Sequence, residues 1–371
     1  MINKKKVIIS LTLLSSFFIL ISAVSAADYY VNQDTSQKNI VDWMKNNAQN
    51  GDQLIFNVTN YTLNETLNIS KSITIKSDIN TKIIFNKNKD MFDVKTDGIT
   101  FSGLTLDYNG QGTTKIMYGA ISTLNASKAN IKLFTLDNTV INVNKNYTSG
   151  ILLGTLQGNI TNSVINVKGS TCYGLNLGKF TGNIINTTIT SSALDSICVY
   201  IGTWNGIING SKMINNGAKK SYYTVGFLSL HSNGSIINSE IKSKNSYAAM
   251  VSDNAIFTNC TLSSQKNLTK VYRYRPELFI FNQIVLTKNT YTFKINNTGE
   301  LTSKECIFQL KTGTITKKAT VKAIKSKKFV TIKITLPKKY IGNKYTKTIK
   351  VDINNVNKEH NKKNNVGKFK F

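Results

Sequence analysis

The sequence of 371 residues is poor in several residue types on which catalytic and metal sites depend. It has two histidines, two tryptophans, two prolines and four cysteines. The cysteines, at 172, 198, 260 and 306, match no metal-ligand spacing. There is also no glycine-rich phosphate loop and no nucleophile elbow. The sequence therefore predicts no metal site and no bound cofactor.

Long apolar runs are confined to the N-terminus. A basic MINKKK precedes an apolar run from Val7 to Val24, and Ser25-Ala26 follows. These features are typical of a secretory signal peptide, so we expect cleavage after Ala26; the alternative is an uncleaved membrane anchor. No later stretch approaches the roughly 20 apolar residues that span a bilayer. The mature chain is therefore expected to be secreted or to lie at the cell surface.

Acidic residues are scarce, and positive charge collects near the C-terminus. The net charge is +28 at pH 7, and residues 270–371 hold 24 basic and 5 acidic side chains. An exported segment this basic is expected to meet anionic polymers such as wall glycans, sulfated sugars or lipid headgroups. Export argues against nucleic acid as the partner. The alternative interpretation is a solvated lysine-rich surface.

A short phrase recurs through the middle of the chain. It reads GNITNSVI, GNIINTTI, GIINGSKM, GSIINSEI and NAIFTNCTL, and it repeats every 21 to 29 residues. A step of this size fits one supersecondary unit stacked on its neighbours. The shared asparagine of each unit is predicted to form a structural ladder that hydrogen-bonds from coil to coil. The predicted ladder consists of Asn162, Asn186, Asn209, Asn238 and Asn259.

Apolar, β-branched bursts separated by Asn, Gly, Asp or Lys run from Gln53 onward and predict many short strands. With two or three strands per repeat, the pattern favours an all-β, right-handed parallel β-helix over an antiparallel sandwich. Apolar residues at helical spacing between Ile40 and Ala48 predict a short capping helix before it. We expect three segments: a signal peptide (1–26), the β-helix (27–269) and a C-terminal domain (270–371).

The opening of the mature chain and the ITFSGLTLDYNG segment carry a resemblance to a known family. Over 29–268 the chain resembles the pectate-lyase-like β-helix repeats of large surface proteins, notably adhesin-like proteins of methanogenic archaea. The resemblance implies an exported protein. Thirteen Asn-Xaa-Ser/Thr sequons could carry glycans on such a protein. Chance in an asparagine-rich composition is the alternative explanation.

Residues 270–371 have a different sequence pattern. Runs of alternating apolar and polar residues, separated by polar turns, predict a basic immunoglobulin-like β-sandwich. The segment VDINNVNKEHNKKNN resembles the closing signature of cell-adhesion-related (CARDB-like) domains. Lys362 stands where that signature usually has an acidic residue, which argues against a cation site. The matching positions are Val351, Asp352, Asn355, Glu359, Asn361, Asn364 and Asn365.

Candidate ligand contacts follow from exposed aromatics and charge. Trp204 is predicted to be exposed on the β-helix, and the longest repeat step contains an extra loop, which is where a solenoid often binds its ligand. Simple variation in coil length is the alternative for that loop. The only two arginines could clamp an anionic group or pack at the domain joint. The further candidates are Lys219, Lys220, Tyr222, Tyr223, Arg273 and Arg275.

Catalytic carboxylates are not evident. Sugar hydrolases need an acid and a base at a set separation, and lyases need several carboxylates around Ca²⁺. Asp195 has Leu194 and Ser196 as neighbours, so no acidic pair occurs there. His231 lies alone in a predicted turn. Dispersed aspartates of different coils could still converge; these are Asp107, Asp137, Asp195 and Asp253.

The sequence is therefore compatible with three functions. The favoured one is a non-enzymatic adhesin whose β-helix presents or binds glycans and whose basic domain docks to anionic surface polymers or partner proteins. The runner-up is a polysaccharide lyase or glycoside hydrolase on a β-helix. The third is a structural component of a surface coat.

Overall fold

The computed structural model describes residues 26–123, 130–217, 224–252, 254–265, 268–342 and 344–370. The predicted signal peptide lies outside the described residues, apart from Ala26. The described chain is almost entirely β-structure. A parallel solenoid (residues 26–274) is followed by an antiparallel sandwich (residues 278–370). The predicted order of a parallel β-helix and then a β-sandwich is confirmed.

The solenoid has two parallel sheets, whose strands are numbered in chain order. Within the described ranges the larger sheet contains β1 (Asp28–Val31), β2 (Gln53–Phe56), β4 (Leu67–Ile69), β5 (Thr74–Lys76), β7 (Phe92–Val94), β8 (Thr100–Ser102), β10 (Tyr118–Ser122), β11 (Asn130–Asp137), β13 (Thr148–Thr161), β15 (Tyr173–Ile185), β17 (Ile197–Asn209), β19 (Phe227–Ser232), β20 (Ser235–Ile237), β22 (Ala249–Ser252), β23 (Ile256–Thr258) and β25 (Val271–Tyr274). The second contains β3 (Asn60–Leu63), β6 (Lys82–Phe85), β9 (Thr105–Tyr108), β12 (Val140–Val143), β14 (Val164–Val167), β16 (Thr188–Ser191), β18 (Lys212–Asn215), β21 (Glu240–Ser243) and β24 (Thr261–Ser263).

The long strands β13, β15 and β17 set the register of the stack. Leu156 pairs with Phe180, and Phe180 pairs with Trp204, so that each coil places a large apolar side chain over the one before. All three side chains are fully buried. The same step of 24 residues recurs at Ile160 and Ile184. Apolar residues of equivalent position therefore form one continuous core, which is the reason for the sequence repeat.

The predicted ladder asparagines lie where the chain turns from the larger sheet into the second. Asn162, Asn186 and Asn238 have φ near +49°, a left-handed conformation that asparagine tolerates better than most residues. Asn209 is one residue out of register with them: it pairs with Ile185, and Gly210 (φ +58°) occupies the turn. Because glycine has no Cβ, the Asn-Gly pair places Gly210 in the left-handed position.

Side-chain amides connect the ladder between coils. The Nδ2 atoms donate to the Oδ1 atoms of the preceding coil, and Gly210 has no amide to continue the series at its coil. The bonds join Asn186 to Asn162 (3.4 Å), Asn238 to Asn209 (3.2 Å) and Asn259 to Asn238 (2.8 Å). Asn209 thus accepts a ladder hydrogen bond from Asn238 although it lies one residue before the turn position.

A second, buried ladder lies one residue later and was not expected from the sequence. Hydroxyls of this column accept hydrogen bonds from the backbone N–H of the preceding coil. Ser211 Oγ accepts from Thr187 N at 3.1 Å, and Ser239 Oγ accepts from Ser211 N at 3.1 Å. The bonds satisfy backbone donors that the turn would leave unpaired inside the core.

The N-terminal end of the solenoid is covered by the predicted capping helix, α1 (Gln37–Asn46). Ser36 caps it by accepting from Asn39 N at 3.3 Å. Ile40 and Met44 face the core and are buried. Trp43 stacks on Tyr29 of β1 with ring centroids 4.8 Å apart. The helix therefore shields the apolar end of the stack from water.

The sandwich has two antiparallel sheets. In the part of the chain that the structure describes, one consists of β26 (Leu278–Thr287), β27 (Thr290–Asn297) and β30 (Phe329–Thr335); the other consists of β28 (Cys306–Thr312), β29 (Ile315–Val321), β31 (Lys347–Lys350) and β32 (Val366–Phe369). Two short 3₁₀ helices span Lys338–Tyr340 and Lys363–Asn365. The parallel sheet ends at Tyr274, five residues beyond the predicted boundary at 269.

The four cysteines are free. Cys172 and Cys198 are both buried, and they are separate thiols. Burial raises the pKa of the Cys172 thiol, and its sulfur lies 3.4 Å from Thr148 N. They pack as small apolar side chains.

Candidate binding surfaces

Trp204 does not form a surface contact. Its side chain is fully buried, and its ring packs edge-on against Phe227 with centroids 5.1 Å apart. The prediction of an exposed aromatic residue is wrong here because Trp204 continues the inward column begun by Leu156 and Phe180. The four candidates of the extra loop lie outside the described residues; they are Lys219, Lys220, Tyr222 and Tyr223.

Both arginines lie at the joint between solenoid and sandwich. Arg273 Nη1 donates to Ser252 O at 2.9 Å and to Ala255 O at 3.2 Å, and so closes the last coil. Arg275 Nη1 donates to Glu359 O of the sandwich at 3.5 Å. Of the two interpretations of the arginine pair, these contacts favour packing at the joint.

Further contacts hold the joint together. The ring of Tyr272 stacks on His360 with centroids 5.4 Å apart, and its hydroxyl donates to Glu300 at 2.8 Å. Within the sandwich, Leu278 N donates to the Glu359 carboxylate at 2.7 Å and so fixes the segment that faces the last coil. Burial raises the pKa of the Glu359 carboxyl. The sandwich is therefore attached to the last coil by specific polar contacts as well as by the chain.

The outer face of the four-stranded sheet of the sandwich is strongly basic. Strands β28, β29, β31 and β32 contain six lysines and no Asp or Glu. Four exposed lysines point outward from alternating positions, interleaved with Gln309 and threonines. We call this surface the basic face; it consists of Lys311, Lys318, Lys350 and Lys368.

Few carboxylates of the sandwich are placed to neutralise that face. Glu277 accepts hydrogen bonds from His360 N at 2.9 Å and Asn361 N at 3.2 Å. The buried Asp352 accepts from Asn357 N at 3.0 Å, and its carboxylate lies 3.6 Å from Lys362 Nζ. Both carboxylates are therefore engaged by the closing segment, where Lys362 lies beside Asp352.

The dispersed aspartates do not converge among the residues described. Asp107 is on the second sheet, where Asn142 Nδ2 donates to it at 2.6 Å. Asp137 is at the end of β11 on the larger sheet and accepts from Thr161 Oγ1 at 2.6 Å. Asp195 lies in a turn with φ +52°. Asp253 lies outside the described residues.

One acidic pair was missed by the sequence analysis. Asp90 and Asp93 flank the start of β7, and Asp93 is 1% exposed. Burial, with a further contribution from the Asp93 charge, raises the pKa of the Asp90 carboxyl to about 6. Asp90 accepts from Gly119 N at 2.7 Å, and Lys95 Nζ lies 3.1 Å from Asp93. The early coils lack the repeated phrase, so their alignment could not bring this pair to notice.

A cleft of about 360 Å³ opens at the joint. One wall comes from the last coils, with His231, Asn233 and Asn254. The other wall comes from sandwich loops that include Lys304 and Lys358. These five side chains are exposed, while Tyr274 at the base is 9% exposed. We call this site the junction cleft. His231, a lone residue in sequence, thus lies among other polar groups.

Among the described residues, no group of three or more His, Cys, Asp or Glu side chains is placed to hold a metal ion. No helix in the described ranges is long and apolar enough to cross a membrane.

Comparison with known proteins identifies the C-terminal domain. The CARDB family model matches residues 281–369, so that segment carries a CARDB domain. No curated protein matches the chain. Among solved structures, the chain is similar to the crystal structure of the Dettilon tailspike protein (gp208), with 7% identity, 82% of this chain and 93% of that chain covered, and a TM-score of 0.20. Similarity at this level carries no argument about function.

Proposed function

We propose that this chain is an exported, non-enzymatic adhesin-like protein whose basic sandwich docks to anionic polymers at a cell surface. The parallel solenoid serves as a stiff support that presents this domain and contributes glycan contacts of its own. Other surface proteins are its additional partners in this proposal, and nucleic acid is not a partner. A parallel β-helix with a CARDB domain fits a surface or carbohydrate-binding protein.

The basic face is the observation that carries the proposal. Its lysines lie on the outer side of the sheet in two rows, which are separated by the spacing of alternate residues, about 6.8 Å. Lys318 and Lys350 flank Gln309 in one row, and Lys311 and Lys368 flank Thr348 in the other. The two lysines of a row are therefore two strands apart, about 9.6 Å. An extended polyanion can follow such a row and meet several ammonium groups at once. Because the four strands contain no acidic residue, these charges are not cancelled within the sheet.

The test is binding of the full chain to immobilised polygalacturonate, heparin and polyphosphate at increasing salt. A variant with Lys311, Lys318, Lys350 and Lys368 changed to alanine should bind more weakly. Exposed ion pairs contribute about 0.2–1 kcal/mol each, so the expected loss is roughly 5- to 1000-fold. Binding of the unchanged chain should also weaken with salt, since exposed charges are screened.

The control removes the same number of charges from exposed positions on the solenoid. It changes Lys87, Lys115, Lys145 and Lys168 to alanine. This variant should retain most of the affinity. An equal loss in both variants would mean that net charge, and not the basic face, attracts the polymer. Failure of the unchanged chain to bind any polyanion at physiological salt would sink the proposal.

A second candidate function, polysaccharide hydrolysis, is favoured by the pair of Asp90 and Asp93. Burial raises the pKa of the Asp90 carboxyl to about 6, which is in the range of a general acid, and Asp93 is the second carboxyl nearby. Release of reducing ends from a panel of polysaccharides, abolished by Asp90→Asn with retained circular dichroism, would establish this function. If no polysaccharide in the panel is cleaved, this candidate falls.

A further inference from the structure

We propose that the junction cleft is a discrete binding site for one or two anionic sugar units, carrying either a carboxylate or a sulfate. The inference deepens the proposed function and rests on it, because it assigns a saccharide ligand to a defined place on the same molecule. The basic face has no depth and can select only charge. The junction cleft has walls, a base and a limited volume.

The size of the junction cleft sets the first limit on its ligand. Its volume of about 360 Å³ is at the lower end of the roughly 300–1,000 Å³ of small-molecule sites. A protein segment or a lipid bilayer would not fit within it. A short stretch of sugar can fit, and a longer glycan can continue over the rims because the site is open to solvent.

The charge of the lining gives the sign of the ligand. Lys304 and Lys358 stand on the sandwich wall, His231 stands on the solenoid wall, and the lining residues that the structure describes include no Asp or Glu. The described lining therefore contains no carboxylate that would neutralise the charge of the two lysines. An anionic group that enters would accept charge-assisted hydrogen bonds, which are the stronger class.

Neutral polar groups and an apolar base indicate that the anion is attached to a sugar. Asn254 Nδ2 donates to Asn233 Oδ1 at 2.9 Å, which fixes two amides on the same wall. Asn357 Oδ1 accepts from Lys304 N at 2.7 Å and holds the opposite loop in place. Tyr274, Pro276 and Leu301 add apolar surface. Oriented amides with an apolar base suit the hydroxyl groups and ring carbons of a pyranose.

The ligand is therefore tested with short oligosaccharides, and matched variants of the two surfaces separate binding in the junction cleft from binding on the basic face. Tri-galacturonate represents the carboxylated class, a heparin-derived tetrasaccharide the sulfated class, and maltotriose the neutral control. Isothermal titration of the full chain should give saturable binding of one anionic oligosaccharide per chain. The anionic class that binds identifies the source of the charge. Maltotriose should bind at least about tenfold more weakly, since it lacks the charge-assisted bonds.

Three variants separate this site from the basic face. Lys304→Ala/Lys358→Ala should reduce affinity for the short anionic sugar by about tenfold or more. Thr302→Trp should block it too, because Thr302 is an exposed lining residue and an indole would fill the volume without changing charge. Lys311→Ala/Lys368→Ala removes the same charge from the basic face and should leave short-sugar affinity within about twofold.

The outcomes are distinguishable from those of the proposed function. Loss of short-sugar binding in the first two variants, with binding retained in the third, supports the inference. Unsaturable binding of all short sugars, equal binding of maltotriose, or insensitivity to Thr302→Trp would overturn it. Long-polymer binding that depends on the basic face could persist in each of those cases, and the proposed function would then stand without this site.

Discussion

The solenoid and the sandwich use polar residues in opposite ways. In the solenoid, asparagine amides and buried hydroxyls form hydrogen bonds from coil to coil, so the polar groups of the repeat hold neighbouring coils in register. In the sandwich, lysines project from one sheet with no acidic residue in its strands. The comparison indicates that polar groups of the repeat stabilise the stack, while exposed, uncompensated charge lies where repetition ends.

If large side chains of the solenoid act as one stacked core, truncating Trp204 should have the largest effect. Trp204→Ala removes a fully buried side chain, and we expect a loss of about 3–5 kcal/mol in the free energy of unfolding. Phe329→Ala in the sandwich is the contrast, because that ring is 54% exposed, and should cost less than about 1 kcal/mol. Urea denaturation followed by circular dichroism measures both. Similar losses would break the distinction.

The close stacking of coils can be tested at a glycine. A Cβ built on Gly182 (φ +145°) would lie 1.8 Å from Gly158 O of the preceding coil. Gly182→Ala therefore combines backbone strain with a clash, and we expect a loss of about 3 kcal/mol. Gly342→Ala in the sandwich isolates strain, because that glycine has φ +85° and open space around it. Its cost should be about 1–2 kcal/mol by thermal or urea unfolding.

A pH-dependent difference should arise from Asp90 in the solenoid. Its pKa of about 6 lies above the ordinary value of 3.8, so the folded chain binds the proton more tightly and loses stability as pH rises through 4 to 6. Asp90→Asn removes this loss. We expect the variant to gain about 1–2 kcal/mol over the unchanged chain at pH 7 and almost nothing at pH 4.

The control for that pH dependence is the exposed Asp34→Asn. Urea unfolding of both variants at the two pH values gives the comparison. A constant difference between Asp90→Asn and the unchanged chain at pH 4 and pH 7 would contradict a raised pKa in the folded state.

The smallest expected effect distinguishes a ladder turn from an ordinary turn. Asn238 and Lys288 both adopt left-handed φ, +49° and +55°. Asn238→Gly keeps the conformation but loses the amide bonds to Asn209 and Asn259, so we expect a loss of about 1 kcal/mol. Lys288→Gly relieves strain and should gain up to about 1 kcal/mol. Equal signs in the two unfolding experiments would mean that the ladder adds no stability.

The fold could be predicted because the repeat constrains it. Equivalent positions in stacked coils must be alike, so the phrase around Asn162 and Asn186 was visible in the sequence. Aligning the repeats on that phrase also puts Trp204 at the position of Phe180 and Leu156, and such an alignment indicates that Trp204 is buried. The prediction that Trp204 is exposed considered this residue alone and not the equivalent residues of the neighbouring coils, which are apolar and buried. The shift at Asn209 was hidden because an adjacent asparagine and glycine can both form the turn.

The candidate site could be predicted only in part. Charge counting located the basic segment, but the separation into a lysine face depends on the pairing of β28 with β29 and β31. The junction cleft joins His231 and Asn254 to Lys304 and Lys358, which lie 50 or more positions later in the sequence. No local sequence pattern indicates that these four residues lie close together in the fold. Asp90 was missed for a related reason, since its environment is made by Gly119 of a later coil.

The uneven charge of the chain also affects how it would approach a surface. The nine strands that the structure describes in the second sheet, at about 4.8 Å each, make the solenoid roughly 40 Å long, with the CARDB domain beyond its last coil. With 24 basic and 5 acidic residues in the last 102 positions, the centre of charge lies far from the centre of mass. A negative surface therefore exerts a torque that turns the molecule before contact. Collisions would be productive from many starting orientations, and the capping helix would point away from the surface.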